Sequence, residues 1–455
     1  MPIYKPALLE KRLNDFDARV RRDALEALHS LAARQRPAPP SGNVNMHCHS
    51  FFSYHAEGWS PTRIAWACHR QGLYAAALCD FDVLDGLEEF LRAGLTLGLR
   101  TAVHLETRAF LAPCASKEIN SPGEPGVTYI MGAGFCGKPA ADSAQGKELA
   151  RFREGARVRN QALIKRVNAK LPAIRIHYHR DVLPLTPLGV ATERHIVRAY
   201  VMKSLQAFPD DAKRGAFWAP LLKRKPSECL ELEPDVPKFE DAVRGALAKR
   251  GGIGYVQPDA TTFPPAQAFI DWVLSCEAIP MITWLDGTSA GEADPRAMLG
   301  LLRDMGCAAL NIVPDRNWNI AKPQERAAKV AKLDAVVRAA TALDLPINIG
   351  TEMNRAGLPF VDELEGDVLR TYRDAFVQGA QVMVGHTLLA RYAGAPYLGK
   401  RARAEFRSRK ARNQFYASIG ALPPRTHDDA DKLLDAGPAK AFKILADEAR
   451  KRAKK

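Results

Sequence analysis

The chain has 455 residues, of which 47% are hydrophobic and 25% charged. This composition excludes a disordered chain, a collagen-like repeat and a disulfide-stapled miniprotein, and it leaves apolar material for a large core. Lys and Arg number 65 against 51 Asp and Glu, and the formal charge of +14 favours anionic partners without choosing among phosphates, nucleic acid and acidic surfaces.

Residues 6–35 keep a helical period, with Leu8, Leu9, Leu13, Phe16, Val20, Leu25, Leu28 and Leu31 on one broad face. The run RPAPPSG at 36–42 ends it, so residues 1–42 are expected to form a helical segment outside the main domain. From 44 to 110 strand and helix alternate: VNMHCH, the helix PTRIAWACHRQGL, YAAALCD, the helix LDGLEEFLRAGLTLGL, then RTAVHLETRAFL. That rhythm predicts a parallel sheet or barrel with right-handed crossovers. Residues 113–126 read as loop and VTYIMGAGF as a further strand. Residues 145–170 read as a basic helix with Arg151, Arg153, Arg157, Arg159, Lys165 and Arg166, and residues 180–245 as an inserted helical unit. The rhythm resumes near 253 with GIGYVQ and IPMITWLDG as strands around the helix FPPAQAFIDWVLSCEA. DPRAMLGLLRDMG then reads as a helix, CAALNIVPD as a strand, ERAAKVAKLDAVVRAATALD as a helix and LPINIGTE as a strand. About seven strand–helix units are expected, in an α/β barrel reaching from 43 to 360, followed by a basic helical region over 361–455.

No stretch approaches the roughly 18 consecutive apolar residues that would span a bilayer. The charged start MPIYKPALLEKRLND has no apolar signal core, so a cytoplasmic protein without a membrane partner is expected. The eight cysteines stand singly, with no C-x-x-C pair, which speaks against a zinc ribbon or a thioredoxin motif and for reduced thiols.

His47 and His49 end the first predicted strand, where residues two apart share a face and two imidazoles could share a metal. His55 in the following loop could reach the same cavity; the plain alternative is surface histidines beside a loop. The next strands end in Asp80 and Asp82, then Glu106. Carboxylates at such strand ends can hold cations or act as bases, while Asp82 could equally cap the next helix. His195 lies in TERHIVRAYV beside Arg194 and Arg198, with Thr192 as a candidate cap, and fits a phosphate or metal site as well as an ordinary helix surface. Asp286, Asp315 and Glu352 follow later strands, Asn354 stands two beyond Glu352, and His386 is isolated and more easily structural.

The order of these groups resembles the PHP (polymerase and histidinol phosphatase) family. Its opening H-x-H-x-x-x-S reads HCHSFFS here, its T-D-H-D-x-x-x-G reads CDFDVLDG and its G-x-E reads HLE. The later R-P-H-I-A-R-A-L is similar to ERHIVRAYV, and G-S-D-x-H to GTEMN at 350–354. The resemblance runs from about 44 to 355. It implies a distorted seven-stranded β/α barrel that hydrolyses a phosphate ester with a metal-activated water. One metal would take His47, His49, Glu106 and Glu352. A second would share Glu106 and use His195, but the usual histidine of strand four is Tyr129. A third would use His55, yet its other histidines are Phe81 and Asn354. One or two ions of zinc, manganese or iron are therefore implied. Asp80 and His195 are the implied catalytic pair. Arg194, Arg198 and Arg316 are candidates to hold the phosphate of a phosphorylated small molecule or nucleotide. The departures leave open a degenerate barrel that binds a phosphorylated ligand or nucleic acid without turnover. Residues 400–412, KRARAEFRSRKAR, carry seven cations among aromatics, so nucleic acid could bind through 400–455; a solvated helix face is the commoner explanation.

Overall fold

Short, continuously apolar strands cannot face water on either side, and here they close into one seven-stranded sheet of order β1-β2-β3-β4-β5-β6-β7 with helices around it. The computed structural model describes residues 5–32 and 41–454. Two helices lead in, α1 (Pro6–Arg12) and α2 (Ala18–Ala32). The single helical period expected over 6–35 breaks at residues 13–17, and positions 33–35 with most of the proline-rich run lie outside the described residues. Then come β1 (Val44–Cys48), α3 (Pro61–Arg70), β2 (Ala75–Phe81), α4 (Leu87–Leu97), β3 (Arg100–Phe110) and β4 (Val127–Ala133).

β1, β2 and β3 pair in parallel, but β4 is antiparallel to both of its neighbours. This corrects the all-parallel expectation. Residues 111–126 hold no crossover helix, and a chain that lacks one returns in the opposite direction. The reversal brings Tyr129, near the start of β4, opposite Arg108 on β3.

A long helical stretch follows: α5 (Ala144–Lys170), α6 (Glu193–Ala207), α7 (Asp211–Leu222), α8 (Pro226–Leu232), α9 (Val236–Leu247) and α10 (Ala266–Ser275). Much of it has a core of its own, built on Val167, Tyr200, Trp218, Phe239 and Val243 and separate from that of the barrel. GIGYVQ is not a strand. Gly254 donates to the Leu247 carbonyl and Ile253 to that of Ala246, so these residues close the end of α9 instead of joining a ladder.

The barrel resumes with β5 (Ile279–Trp284), α11 (Pro295–Asp304), β6 (Ala309–Ile312), the short α12 (Asp315–Trp318), α13 (Pro323–Ala342) and β7 (Ile347–Ile349), all three strands parallel. The seam between β7 and β1 closes just past β7. His49 N–H donates to the Glu352 carbonyl (2.9 Å) and Glu352 N–H to that of His47 (2.8 Å). Asn45 staples the seam: its Oδ1 accepts from His47 and Thr351 N–H, and its Nδ2 donates to the Thr351 hydroxyl and the Phe360 carbonyl. A Cβ on Gly350 would stand 2.4 Å from the His47 nitrogen, so only glycine lets the two backbones approach this closely.

Five helices finish the chain: α14 (Arg373–Ala393), α15 (Lys400–Glu405), α16 (Arg409–Gly420), α17 (His427–Ala436) and α18 (Pro438–Ala453). α14 lies against β7 and crosses α16 at close range. No helix among the described residues is long and apolar enough to cross a membrane. The aromatic residues of the basic run are packing residues. Tyr416 is buried, and Phe406 and Phe415, both half-buried, pack against each other with ring centres 5.0 Å apart.

The α14–α16 crossing yields a prediction. A Cβ on Gly385 would stand 1.9 Å from the Tyr416 carbonyl oxygen. In a lone helix Gly→Ala gains about 1 kcal/mol, but a backbone oxygen cannot step aside and overpacking costs about 1–3 kcal/mol. Gly385→Ala is expected to lower stability by about 1–2 kcal/mol in urea denaturation. An unchanged or raised midpoint would contradict the close crossing.

Candidate metal centre

The mouth of the barrel gathers three buried donors. His47 Nε2 and His49 Nε2 lie 3.5 Å and 3.4 Å from the same Glu106 oxygen, and the two rings are 5.1 Å apart. The bend that brings β1 onto residue 352 at its end turns both imidazoles toward β3, where Glu106 pairs in register with Phe81. Among the described residues these three form the one group of His, Cys, Asp or Glu whose ligand atoms converge.

The hydrogen-bond partners fix both tautomers. His47 Nδ1 faces Asn311 Oδ1 at 3.0 Å, an atom that can only accept, so Nδ1 carries the proton. His49 Nδ1 faces Ser53 Oγ at 3.2 Å, and that hydroxyl gives its own hydrogen to Asp80 Oδ1 at 2.6 Å. Ser53 must then accept from His49. In the neutral form of each ring the lone pair then falls on Nε2, and neither Nε2 has a hydrogen-bond partner. A neutral imidazole presents a metal with just this nitrogen, and a partner that fixes the tautomer is the usual support of a ligand. The donor spacing fits as well, since tetrahedral zinc ligands at about 2.05 Å stand about 3.35 Å apart. The chemistry of the set, two imidazoles and a carboxylate, therefore fits a divalent ion.

The electrostatics follow from burial. Burial disfavours charge on Glu106, but the facing His47 and His49 outweigh it and hold the carboxyl down at about 2. Burial likewise works against a charged His47, yet Glu106 and, more weakly, Glu352 raise its pKa above the ordinary value. Phe81 stacks on His49 at 4.6 Å, so the position that would carry a histidine in the resembled pattern buttresses a ligand instead.

The other candidates take different places. Asp80 is fully engaged: it accepts from Ser50 N–H, Ser50 Oγ and Ser53 Oγ, which makes it an anchor of the His49 loop and not a group free to act on substrate. His55 accepts a bond from Glu57 N–H at Nδ1 and stacks on Trp59. His195 accepts from Thr192 N–H at Nδ1, across the first turn of α6. Burial pushes both histidines down to about 3, so each is neutral with its proton on Nε2 and neither offers a lone pair to metal. Neither His195 nor His55 joins the converging group of His47, His49 and Glu106. Glu352 stands near the three donors, but its carboxylate is held by Arg316 at 2.8 Å. Glu352 and Met353 both have left-handed backbone, φ 63° and 59°, a strain of about 1–3 kcal/mol each that the β1 seam sustains. His386 is structural, bonded to the Gly134 carbonyl and to Tyr397 N–H. Asp286 holds the turn at Thr288 and pairs with Lys329, and Asp315 begins α12. Asp82 does not cap α4, whose N-cap is Gly86; it accepts from the Thr107 hydroxyl.

Above Glu106 opens a cavity of about 700 Å³, walled by the barrel mouth on one side and by α5, α9 and the 254–263 loop on the other. Eight cationic and six acidic side chains line it, together with Tyr54, Tyr129 and Asn354. The three arginines expected to hold phosphate are already paired: Arg194 with Asp241, Arg198 with Glu240 and Arg316 with Glu352, at 2.8–2.9 Å. Arg194 and Arg316 do line the cavity; Arg198 and His195 do not. Sequence reading missed Asn311 and Ser53. Asn311 was visible as a lone amide in a buried apolar strand, and Ser53 as the serine of the H-x-H-x-x-x-S opening.

No family model matches the chain, and no curated protein matches it. Two solved structures are similar in shape. One is a presumed metal-dependent phosphoesterase from Bifidobacterium adolescentis, with TM-score 0.45 and 17% identity over 74% of this chain and 98% of its own. The other is an amidohydrolase from Chromobacterium violaceum with bound sulfate and no metal, with TM-score 0.48 and 15% identity over 73% and 95%.

The tautomer argument is open to test without any substrate. Asn311→Leu and Ser53→Ala each remove a partner of Nδ1 and are expected to weaken zinc binding about 10–100-fold, while Phe81→Leu, which leaves both partners in place, changes it less. Competition with a chromogenic chelator reads the affinities. Equal affinity in all three variants would show that the hydrogen bonds do not set the ligands.

Proposed function

We propose that this chain is a metal-dependent phosphoesterase, hydrolysing a phosphate ester at the mouth of a PHP-like barrel. The observation that carries the reading is the convergence of His47 and His49 Nε2 on Glu106, which lines a cavity rich in guanidinium. Buried polar atoms without partners are costly, about 1–3 kcal/mol each, and persist where a ligand satisfies them. A zinc, manganese or iron(II) ion bound there would supply Lewis acidity toward a phosphoryl oxygen and toward water.

The chain's own residues supply the rest. Asn311 and the Ser53–Asp80 pair orient the two imidazoles. Glu106 remains anionic at every working pH, because His47 and His49 hold its carboxyl at about 2. Arg316, held in place by Glu352, adds positive charge beside the three donors, where charge develops on a transferring phosphoryl group. Tyr129, on the cavity wall with Arg108 beneath its ring at 6.0 Å, has a hydroxyl within the same space. The converging donors number three and the histidines at 55 and 195 are engaged elsewhere, which favours one ion over two or three.

The test is metal loading followed by hydrolysis. Protein purified and loaded with zinc or manganese is expected to hold about one ion per chain and to release phosphate from p-nitrophenyl phosphate or another monoester. Glu106→Gln is expected to lower the rate about 100-fold or more, equivalent to about 2.7 kcal/mol of barrier. Metal retained with no phosphate released from any monoester would favour a barrel that binds its ligand without turnover; no metal retained would overturn both readings.

A further inference from the structure

The wall of the cavity opposite the barrel is one face of α5, where Ala156, Arg159, Leu163 and Arg166 recur at helical spacing. Arg159 and Arg166 stand apart from the cations around them. Arg108, Arg194, Arg244, Lys249 and Arg316 each have a carboxylate at ion-pair distance, and Arg355 is exposed at the rim. Arg159 donates to the Thr262 carbonyl at 3.2 Å and Arg166 to the Gly254 carbonyl at 2.7 Å, and among the described residues neither meets a carboxylate. Both side chains are half-buried.

Arg159 is also held in place. Its guanidinium lies 4.6 Å from the centre of the Phe263 ring, and that of Arg108 lies 4.4 Å from the same ring. Phe263 is buried, so two guanidinium groups are fixed about one apolar wall. Burial pushes Arg159 down to about 10, against the upward pull of Asp82. Asp82, the nearest acid to it in the cavity, takes the Thr107 hydroxyl at 2.6 Å and pairs with neither arginine. A fixed, half-desolvated guanidinium without a partner is what a bidentate anion requires.

Glu106 and both arginines of α5 line the one cavity. We propose that Arg159 and Arg166 bind a second anionic group of the substrate. The substrate class is then a phosphate ester carrying a further phosphate or carboxylate. The inference rests on the phosphoesterase reading for the first of these anions only. It assigns the helical unit that carries α5 a role in selecting the substrate, while the barrel carries the reacting end.

Phosphonates, which hydrolysis leaves intact, test this in the zinc-loaded full-length protein. Calorimetry compares butylphosphonate, with one anionic end, against butane-1,4-bisphosphonate and 5-phosphonopentanoate, with two. At least one of the two-ended ligands is expected to bind about tenfold or more tightly than butylphosphonate, and which one gains more identifies phosphate or carboxylate as the second group. In Arg159→Gln/Arg166→Gln the advantage is expected to fall to about twofold or less, and Arg159→Lys/Arg166→Lys to keep part of it. Should the double variant fail to melt cooperatively, the single Arg166→Gln chain is read in its place. Equal affinities in the wild type, or an advantage that survives the glutamine changes, overturns the proposal. An advantage that depends on these arginines in a protein that hydrolyses no phosphoester sustains the anion site and overturns the phosphoesterase reading alone. Hydrolysis without any advantage does the reverse.

Discussion

Two imidazoles and one carboxylate are buried at the mouth of an apolar barrel, and their surroundings answer the cost of keeping them there. Each would lose hydrogen bonds to water that the interior must replace. Asn311 and Ser53 replace one bond on each ring, and they do so on the Nδ1 side. The Nε2 side is left open toward Glu106. The asymmetry makes the site directional, because any group that completes it must accept two lone pairs and a negative charge at one point. The Asp80–Ser53–His49 chain shows how far this extends. A carboxylate one strand away sets a hydroxyl's hydrogen, and the hydroxyl sets a tautomer.

The seam between β1 and the segment after β7 is the mechanical side of the same constraint. His47 and His49 exchange backbone bonds with Glu352, which forces left-handed backbone on two residues that are not glycine. Such strain persists only where its surroundings over-determine it. Here Asn45 and the close approach at Gly350 do so, and they also fix where β1 ends. The strain and the donors therefore occupy the same few residues. Shifting the seam by one residue would turn His47 and His49 away from Glu106.

The barrel and its strand ends were legible because they rest on local signals. Continuous apolar runs such as AAALC mark strands buried on both faces, and the H-x-H spacing marks two side chains on one side. What could not be read depends on partners distant in sequence. The reversal of β4 comes from the lack of a crossover, which a loop of ordinary composition does not announce. GIGYVQ has strand-like composition, but its backbone donors are spent on the end of α9. His195 and His55 look like ligands by type and order. Their roles are decided by which ring nitrogen a backbone N–H of Thr192 or Glu57 claims, a matter of ångströms. The pairing of the arginines was out of reach for the same reason. Arg194, Arg198 and Arg316 stand in the right segments, yet each has found a carboxylate on another element.

That pairing points to the more general organisation of the cavity. A guanidinium with a carboxylate at 2.9 Å is largely neutralised, and its value to an incoming anion falls with the pairing. A residue chosen for its charge and segment alone is therefore a poor guide to where an anion binds; the better guide is the charge left over after internal pairing. By that measure the barrel's buried contribution near Glu106 is Arg316, tied to Glu352, and the unpaired half-buried cations, Arg159 and Arg166, lie on α5, which belongs to the helical stretch between β4 and β5. The two parts of the chain thus divide the cavity. The barrel presents a fixed set of donors whose geometry tolerates little change, and the helical stretch presents cations on a surface helix, where substitution is cheap. A fold arranged in this way can alter what it recognises through α5 without disturbing His47, His49 or Glu106, because the seam that positions those three makes no use of α5.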